Sequence, residues 1–220
     1  MQRRDCIALL TLAASPLAST LAQAQGAPQD GAQYRRLPRA MATSVPAGKI
    51  EVIEFFWYGC PHCFVFDPAL KQWLSAAPAD VAFRRVHVGF GGLFRLHQRF
   101  FYALEAMGVE AELHDRVFKA FHIDRLPVGN EEAMQNLAVT LGLDAAKFKQ
   151  AWGSFGVQSK CIQATRLSDD YGIDGVPALA IAGRFVTAPD IAGNRGMSEQ
   201  QLGLAALRVT DYLIGLARQG

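Results

Sequence analysis

Cys60 and Cys63 bracket a proline and a histidine in the stretch EFFWYGCPHCFVF, Glu54 to Phe66, immediately after an apolar run. Two thiols at this spacing can close a disulfide, hold a metal, or exchange electrons with other thiols. The apolar run reads as a strand and the residues from Pro61 onward as a helix, so Cys60 stands at a strand-to-helix junction. Its sulfur there faces backbone N–H groups without intrahelical partners and the positive end of the helix dipole, which together favour a thiolate. Pro61 suits the first helical position, having the right φ and no N–H to leave unsatisfied. Cys63 follows on the same face, close enough to bond with Cys60. The dipole contributes up to ~2 kcal/mol and one pKa unit corresponds to about 1.4 kcal/mol, so the helix start lowers the Cys60 pKa by roughly one unit. His62 adds to this by donating to, or lying near, the sulfur anion. Selective stabilisation of the thiolate makes the disulfide easier to reduce and more oxidising toward other proteins.

Two other uses of the pair are weaker. A zinc site generally takes four ligands from two such pairs, and Cys161 is far along the chain. A purely structural bridge over so short a loop constrains the unfolded chain little. Glu54 lies inside the apolar strand, where an acid needs a partner or a raised pKa, because an unpaired buried carboxylate is costly.

The chain has 220 residues, 50% hydrophobic and 19% charged, enough for one domain with a sizeable insertion. A net charge of +2, from 22 basic and 20 acidic residues, provides no footprint for nucleic acid or an anionic membrane. The start, MQRRDCIALLTLAASPLASTLAQAQG, has basic Arg3 and Arg4, an apolar stretch and the AQA of Ala22 to Ala24. It reads as an export signal over residues 1–24, cut after Ala24. As a retained anchor it is short of the ~20 residues of a span and is interrupted by Pro16 and Ser19; the arginine pair alone does not specify a twin-arginine route. Cleavage leaves Cys60, Cys63 and Cys161. In an exported protein that odd remainder suggests chemistry by the pair rather than a structural framework.

The elements that position the pair follow from the pattern. Gln25 to Gly31 is polar and expected to lack order. QYRRL is expected as a short edge strand, Ala40 to Lys49 as a loop, and KIEVIEFFWY as a strand covered on both faces at the centre of a sheet. Phe66, Leu70, Trp73 and Leu74 recur at helical spacing up to Pro78, with a kink expected at Pro68. VAFRRVHVGF reads as a second strand, so the strand–helix–strand succession implies a parallel pair. From Leu93 to about Asp170 the apolar spacing is helical, with starts at Asn130 and Asp144, which marks an inserted subdomain. VPALAIAGRFV returns to the sheet with a hairpin turn at Ala182-Gly183, and Ser198 with Gln201 opens a final helix as a capping box. The expected division is residues 25–92 and 161–220 for the sheet-containing part and 93–160 for the insertion. Cys161 is expected to be a buried, unreactive thiol.

In EFFWYGCPHC, HVGFGG (His87 to Gly92), AWGSFGVQSK and GIDGVPALAIAGRF, the chain resembles the periplasmic DsbA family of thiol:disulfide oxidoreductases over nearly its whole length after the signal. Cys-Pro-His-Cys with a downstream Val-Pro and helices between is far more specific than a spaced cysteine pair. The resemblance implies an α/β thioredoxin fold with an inserted helical subdomain. It implies Cys60 as the exposed nucleophile, Cys63 as the buried resolving cysteine, and Val176-Pro177 as a cis-proline loop facing the disulfide. Gly175 independently suggests a tight turn there; an ordinary strand-entry proline is the alternative. The resemblance further implies proton traffic between Glu54 and Cys63, with a basic neighbour on the adjacent strand. That neighbour is usually lysine and here is Arg85, which cannot give up its proton.

His87, on the face of Arg85, is expected as a structural histidine, while Trp57, Tyr58 and Phe90 line either a substrate groove or the core. The implied function is donation of a disulfide to reduced, exported proteins in the periplasm by a monomer without diffusible cofactor, followed by reoxidation by a DsbB-like membrane quinone reductase. A disulfide isomerase or reductase on the same fold is the alternative enzyme. Such proteins usually dimerise through an added segment, for which the region before the first strand is short. A copper-binding dithiol module is the non-enzymatic alternative, without the methionine- or histidine-rich cluster it would use.

Overall fold

Ile50–Phe56, β-branched and aromatic with little polar interruption, forms strand β2 in a computed structural model that describes residues 26–219. The expected signal segment lies outside the described residues. Arg35–Arg36 is β1; helix α1, Pro61–Ala76, and strand β3, Val81–His87, follow β2. Five helices come next: α2 (Gly92–Ala106), α3 (Glu110–His122), α4 (Glu131–Thr140), α5 (Ala145–Gly153) and α6 (Phe155–Asp170). The chain then returns through β4 (Ala178–Ile181) and β5 (Phe185–Thr187) to the short α7 (Pro189–Ala192) and to α8 (Glu199–Arg218).

The five strands are ordered β1-β5-β4-β2-β3. β2 and β3 are parallel, as their intervening helix requires, and the other neighbours are antiparallel. β2 was expected at the centre; it is interior, and β4 holds the central place because β5 and β1 extend the sheet beyond the β4–β5 hairpin. The hairpin turns at Ala182 and Gly183, both at positive φ, with Arg184 N–H donating to Ile181 O at 3.0 Å. Gly183 also has no room for a side chain, since an added Cβ would stand 2.3 Å from Met41 O.

Alternation along the strands divides the core. Val52, Leu179 and Ile181 pack with Phe66 and Leu70 of α1 and Leu207, Leu213 and Ile214 of α8. Ile53, Phe55 and Ala180 belong to the larger cluster built with the helical block, which includes Phe101, Leu104, Val117 and Tyr171. Asn130, Asp144 and Ser154 each accept a backbone N–H of the first turn of α4, α5 and α6, and the Ser198–Gln201 capping box is formed at α8.

Helix α1 continues through Pro68, as expected of a proline inside it. Two boundaries differ from expectation. The segment before β1 is ordered from Gln29: Gly31 N–H donates to Tyr34 O, Arg36 N–H to Asp30 Oδ1, and the buried Tyr34 ring packs edge-on against Phe185. The division expected between residues 160 and 161 falls inside α6, a continuous helix. Among the described residues no helix is long and apolar enough to cross a membrane.

Candidate functional site

Cys60 is the N-cap of α1, with extended backbone angles (φ −87°, ψ 114°) that end the strand segment and let its side chain fold back over the first turn. Its Sγ accepts the backbone N–H of Cys63 at 3.3 Å, taking the place that a serine or aspartate oxygen occupies in ordinary caps. Pro61 sits at the first helical position as expected. Both cysteines are free thiols in this structure, Cys60 5% exposed and Cys63 fully buried.

Their ionisation is pulled apart. The hydrogen bond from the Cys63 thiol, the backbone N–H groups of Cys63 and His62, and the His62 charge outweigh burial and bring Cys60 down to about 7. Burial pushes Cys63 well up, and the neighbouring Cys60 and the Glu54 carboxylate push it further. One sulfur is therefore readily a thiolate near neutral pH, and the other holds its proton.

The Val176–Pro177 peptide bond is cis, and the Cys60 thiol donates to Val176 O at 3.3 Å. The loop before β4 thus meets the start of α1 at the sulfur. Beside them opens a cavity of about 660 Å³, lined by His62, Phe66, Val176, Pro177, Ile191 and Leu202 among others. Its floor is apolar and its rim carries Asp174, Asp190 and Glu199. The His62 side chain is exposed and directs Nδ1 to Glu199 Oε1 at 3.1 Å; of the two expected effects on the sulfur, donation or a nearby charge, the charge is the one that acts on Cys60.

Behind Cys63 lies a buried charged cluster. Parallel register sets Glu54 opposite Arg85, and Arg85 Nε donates to Glu54 Oε2 at 2.9 Å. The same guanidinium donates through Nη2 to Asp67 Oδ1 at 3.1 Å, and Lys71 Nζ lies 2.8 Å from Asp67 Oδ2. Burial raises the Glu54 carboxyl, with Arg85 and His114 opposing it. Burial also acts on Asp67, but hydrogen bonds from His114 and Lys71 outweigh it and hold that carboxyl near 2. His114 and Glu110 of α3 and the Tyr58 hydroxyl complete the cluster.

Of these, sequence reasoning named Glu54 and Arg85 and missed Asp67, Glu110 and His114. Spacing offered a partial signal, since Glu110 and His114 are one helical turn apart, but nothing local indicated that α3 would lie against α1.

The remaining sequence-named residues are structural or peripheral. Tyr58 is fully buried and lines no groove. His87 is fully buried and neutral: Nε2 accepts Tyr58 N–H at 3.2 Å, Nδ1 donates to Val88 O, and burial holds its pKa well down. Trp57 stacks on Phe94 with ring centroids 4.0 Å apart and donates to His97 Nδ1, and Phe90 adjoins Phe94 at the surface. Cys161 is half-buried rather than buried, its thiol pushed by burial up to about 11. Among the described residues no three His, Cys, Asp or Glu side chains are grouped to hold a metal ion.

Comparison with known proteins agrees with this geometry. Residues 51–199 match the family model described as a DSBA-like thioredoxin domain. The thiol:disulfide interchange protein DsbA of Azotobacter vinelandii is 42% identical over 184 residues, covering 84% of this chain and 82% of its own. The crystal structure of Pseudomonas aeruginosa DsbA aligns with a TM-score of 0.77 at 35% identity, over 86% of this chain and 94% of that one. A structure of Proteus mirabilis DsbA with the non-covalently bound peptide PWATCDS aligns with a TM-score of 0.71 at 25% identity, over 86% of this chain and all of that one.

Proposed function

The chain belongs to the DsbA-like thioredoxin-domain family of thiol:disulfide interchange proteins, and on that premise we propose how its residues divide the chemistry. Cys60 is the sulfur that substrates attack, and Cys63 is the leaving and resolving sulfur. A substrate thiolate attacks Cys60 Sγ of the disulfide; the S–S bond breaks, its electron pair passes to Cys63 Sγ, and that sulfur takes a proton. A second substrate thiolate then attacks the substrate sulfur of the mixed disulfide and expels Cys60 as a thiolate. The substrate leaves oxidised by two electrons, and the protein is left as the dithiol. The single observation that carries this assignment is the Cys60 sulfur in the cap of α1, lowered to about 7, against a fully buried Cys63 pushed well up.

Val176 and Pro177 hold the substrate segment beside Cys60, and the adjoining cavity receives its apolar flank. The Proteus mirabilis relative, which binds a cysteine-containing peptide non-covalently, supports peptide binding by a protein of this fold. Pro61 fixes the helix start, and Glu54 supplies the proton to Cys63. His62 tunes Cys60 through its backbone N–H and the charge of its side chain, whose Nδ1 is paired with Glu199. The sheet with α1, α7 and α8 acts as the thioredoxin-like part and α2 to α6 as the helical insertion, its second boundary lying after α6 rather than at residue 160. The protein works as a monomer in the periplasm on reduced, exported proteins, and a DsbB-like membrane quinone reductase reoxidises it.

The assignment is tested by mixing the oxidised protein with a reduced peptide carrying two cysteines. One peptide disulfide forms per protein. Cys60→Ser is inert, and Cys63→Ala, loaded as a mixed disulfide at Cys60, transfers its partner to the peptide. Mixed disulfides found at Cys63 in the wild type would reverse the assignment.

A further inference from the structure

The carboxylates behind Cys63 are joined by an imidazole that the exchange chemistry above does not use. His114 of α3 is 3% exposed. Its Nδ1 lies 2.8 Å from Glu110 Oε1 and 3.1 Å from the Tyr58 hydroxyl; its Nε2 lies 3.3 Å from Asp67 Oδ1, poorly aligned for a hydrogen bond. Glu110, with 16% of its side chain exposed, faces solvent, whereas Asp67, 6% exposed, shares Arg85 with Glu54. The ring therefore has one nitrogen toward water and the other toward the Cys63 side.

We propose that His114 is a positioning residue for the redox step, taking up a proton when Cys63 is reduced and releasing it when the disulfide re-forms, so that the buried cluster keeps one net charge in both states. The proposal rests on Cys63 being the leaving sulfur and Glu54 its proton donor.

The charges that face the ring support this. Asp67 and its partner Lys71 come from α1, Glu54 from β2, Tyr58 from the segment after β2, Arg85 and the neutral His87 from β3, and Glu110 from the same helix. With Glu54 protonated and His114 neutral, Arg85 and Lys71 stand among three carboxylates, Asp67, Glu110 and the exposed Asp115 that Lys71 also pairs with at 2.5 Å. When the S–S bond breaks and Cys63 takes the Glu54 proton, the new carboxylate adds one negative charge to that set. A buried charge without compensation is costly. Arg85 cannot respond, since a guanidinium neither gains nor loses a proton here. A proton from solvent, passing by Glu110 to His114, offsets the added charge. In the dithiol structure burial lowers His114, but the Asp67 and Glu110 carboxylates beside the ring outweigh it and the ring is raised overall.

Two measurements on the full protein test this. Nuclear magnetic resonance of isotope-labelled histidine across pH should place the His114 midpoint higher in the reduced than in the oxidised protein. Infrared difference spectra between the two redox states, with the Glu54 band assigned by Glu54→Gln, should show the protonated carboxyl lost on reduction. In His114→Gln, which hydrogen-bonds but does not titrate, that loss should disappear. A purely structural histidine would leave the Glu54 signal responding as in the wild type, and that result, or equal His114 midpoints in both redox forms, overturns the proposal. If His114→Gln does not fold, the wild-type midpoints decide. If the wild type fails to exchange disulfides with a peptide, the assignment of Cys60 and Cys63 falls, while the midpoint comparison still reports on His114.

Discussion

His62 Nδ1 stands 3.1 Å from Glu199 Oε1, so the histidine between the two cysteines is tied to the first turn of α8 rather than to the Cys60 sulfur. The side chains are 66% and 49% exposed, and such a pair contributes at most ~1 kcal/mol and is screened by salt. The hydrogen bonds that lower Cys60 come first from Cys63 and then from backbone N–H groups, and the His62 charge acts on top of them. Replacing His62 with serine should therefore raise the Cys60 pKa by less than about one unit and make the protein less oxidising by less than roughly 30 mV. Titration of thiolate absorbance in wild type and variant measures the first quantity. A shift of two units or more would mean that the imidazole swings onto the sulfur in solution.

The N-cap position of Cys60 has a direct kinetic consequence. Alkylation requires the thiolate, so its rate in the reduced protein should rise with pH to a midpoint of about 7, set by Cys60. Cys63, fully buried and pushed well up, should remain unmodified through that range. A midpoint close to the ordinary value of 9.0 would contradict the capping account.

Asp67 links the buried cluster to acid stability. Its folded pKa of about 2 lies below the usual 3.8, so its contribution is fully present above about pH 4 and is lost as pH falls toward 2. The drop from 3.8 to about 2 corresponds to roughly 2–3 kcal/mol for this 6%-exposed side chain. His114, raised in the fold, has the opposite sign: its stabilisation is present below the unfolded value of 6.5 and lost as pH rises through the folded one. The two share one contact and are not additive. Denaturant unfolding of the reduced protein at several pH values should show the acid-side loss, and Asp67→Asn should flatten it. A variant that keeps the same slope between pH 4 and 2 would place the acid-sensitive group elsewhere.

Local chemistry was legible where sequence neighbours define it. The strand-to-helix junction at Cys60, the caps at Asn130, Asp144 and Ser198, and the hairpin at Ala182-Gly183 each depend on residues within one turn of one another. The Glu54–Arg85 pair was reached only through the resemblance, which implied a basic neighbour for Glu54 on the adjacent strand without settling the pairing; the parallel register sets the two opposite each other. The rest of the cluster was not. Asp67 reads as a polar residue on a surface helix, and Glu110 and His114 as an ordinary i, i+4 pair, until α3 packs against α1 and buries Asp67 and His114 with Glu110 at the edge. His62 failed differently: its neighbour in sequence is the sulfur, but its partner in space lies on the last helix.

The equilibrium constant of the Cys60–Cys63 pair against glutathione tests the central claim most directly, because the cap at Cys60 acts on the dithiol and has no anion to stabilise in the disulfide. A Cys60 thiol held about two units below its ordinary value favours the reduced form by at most roughly 60 mV relative to an uncapped pair, at about 30 mV for each tenfold change, the full shift being reached only above the ordinary pKa of 9.0. The account predicts a potential more positive than about −200 mV, so that the oxidised protein takes electrons from glutathione and from folding substrates. A potential at or below roughly −270 mV, where thioredoxin-type reductants lie, would contradict it.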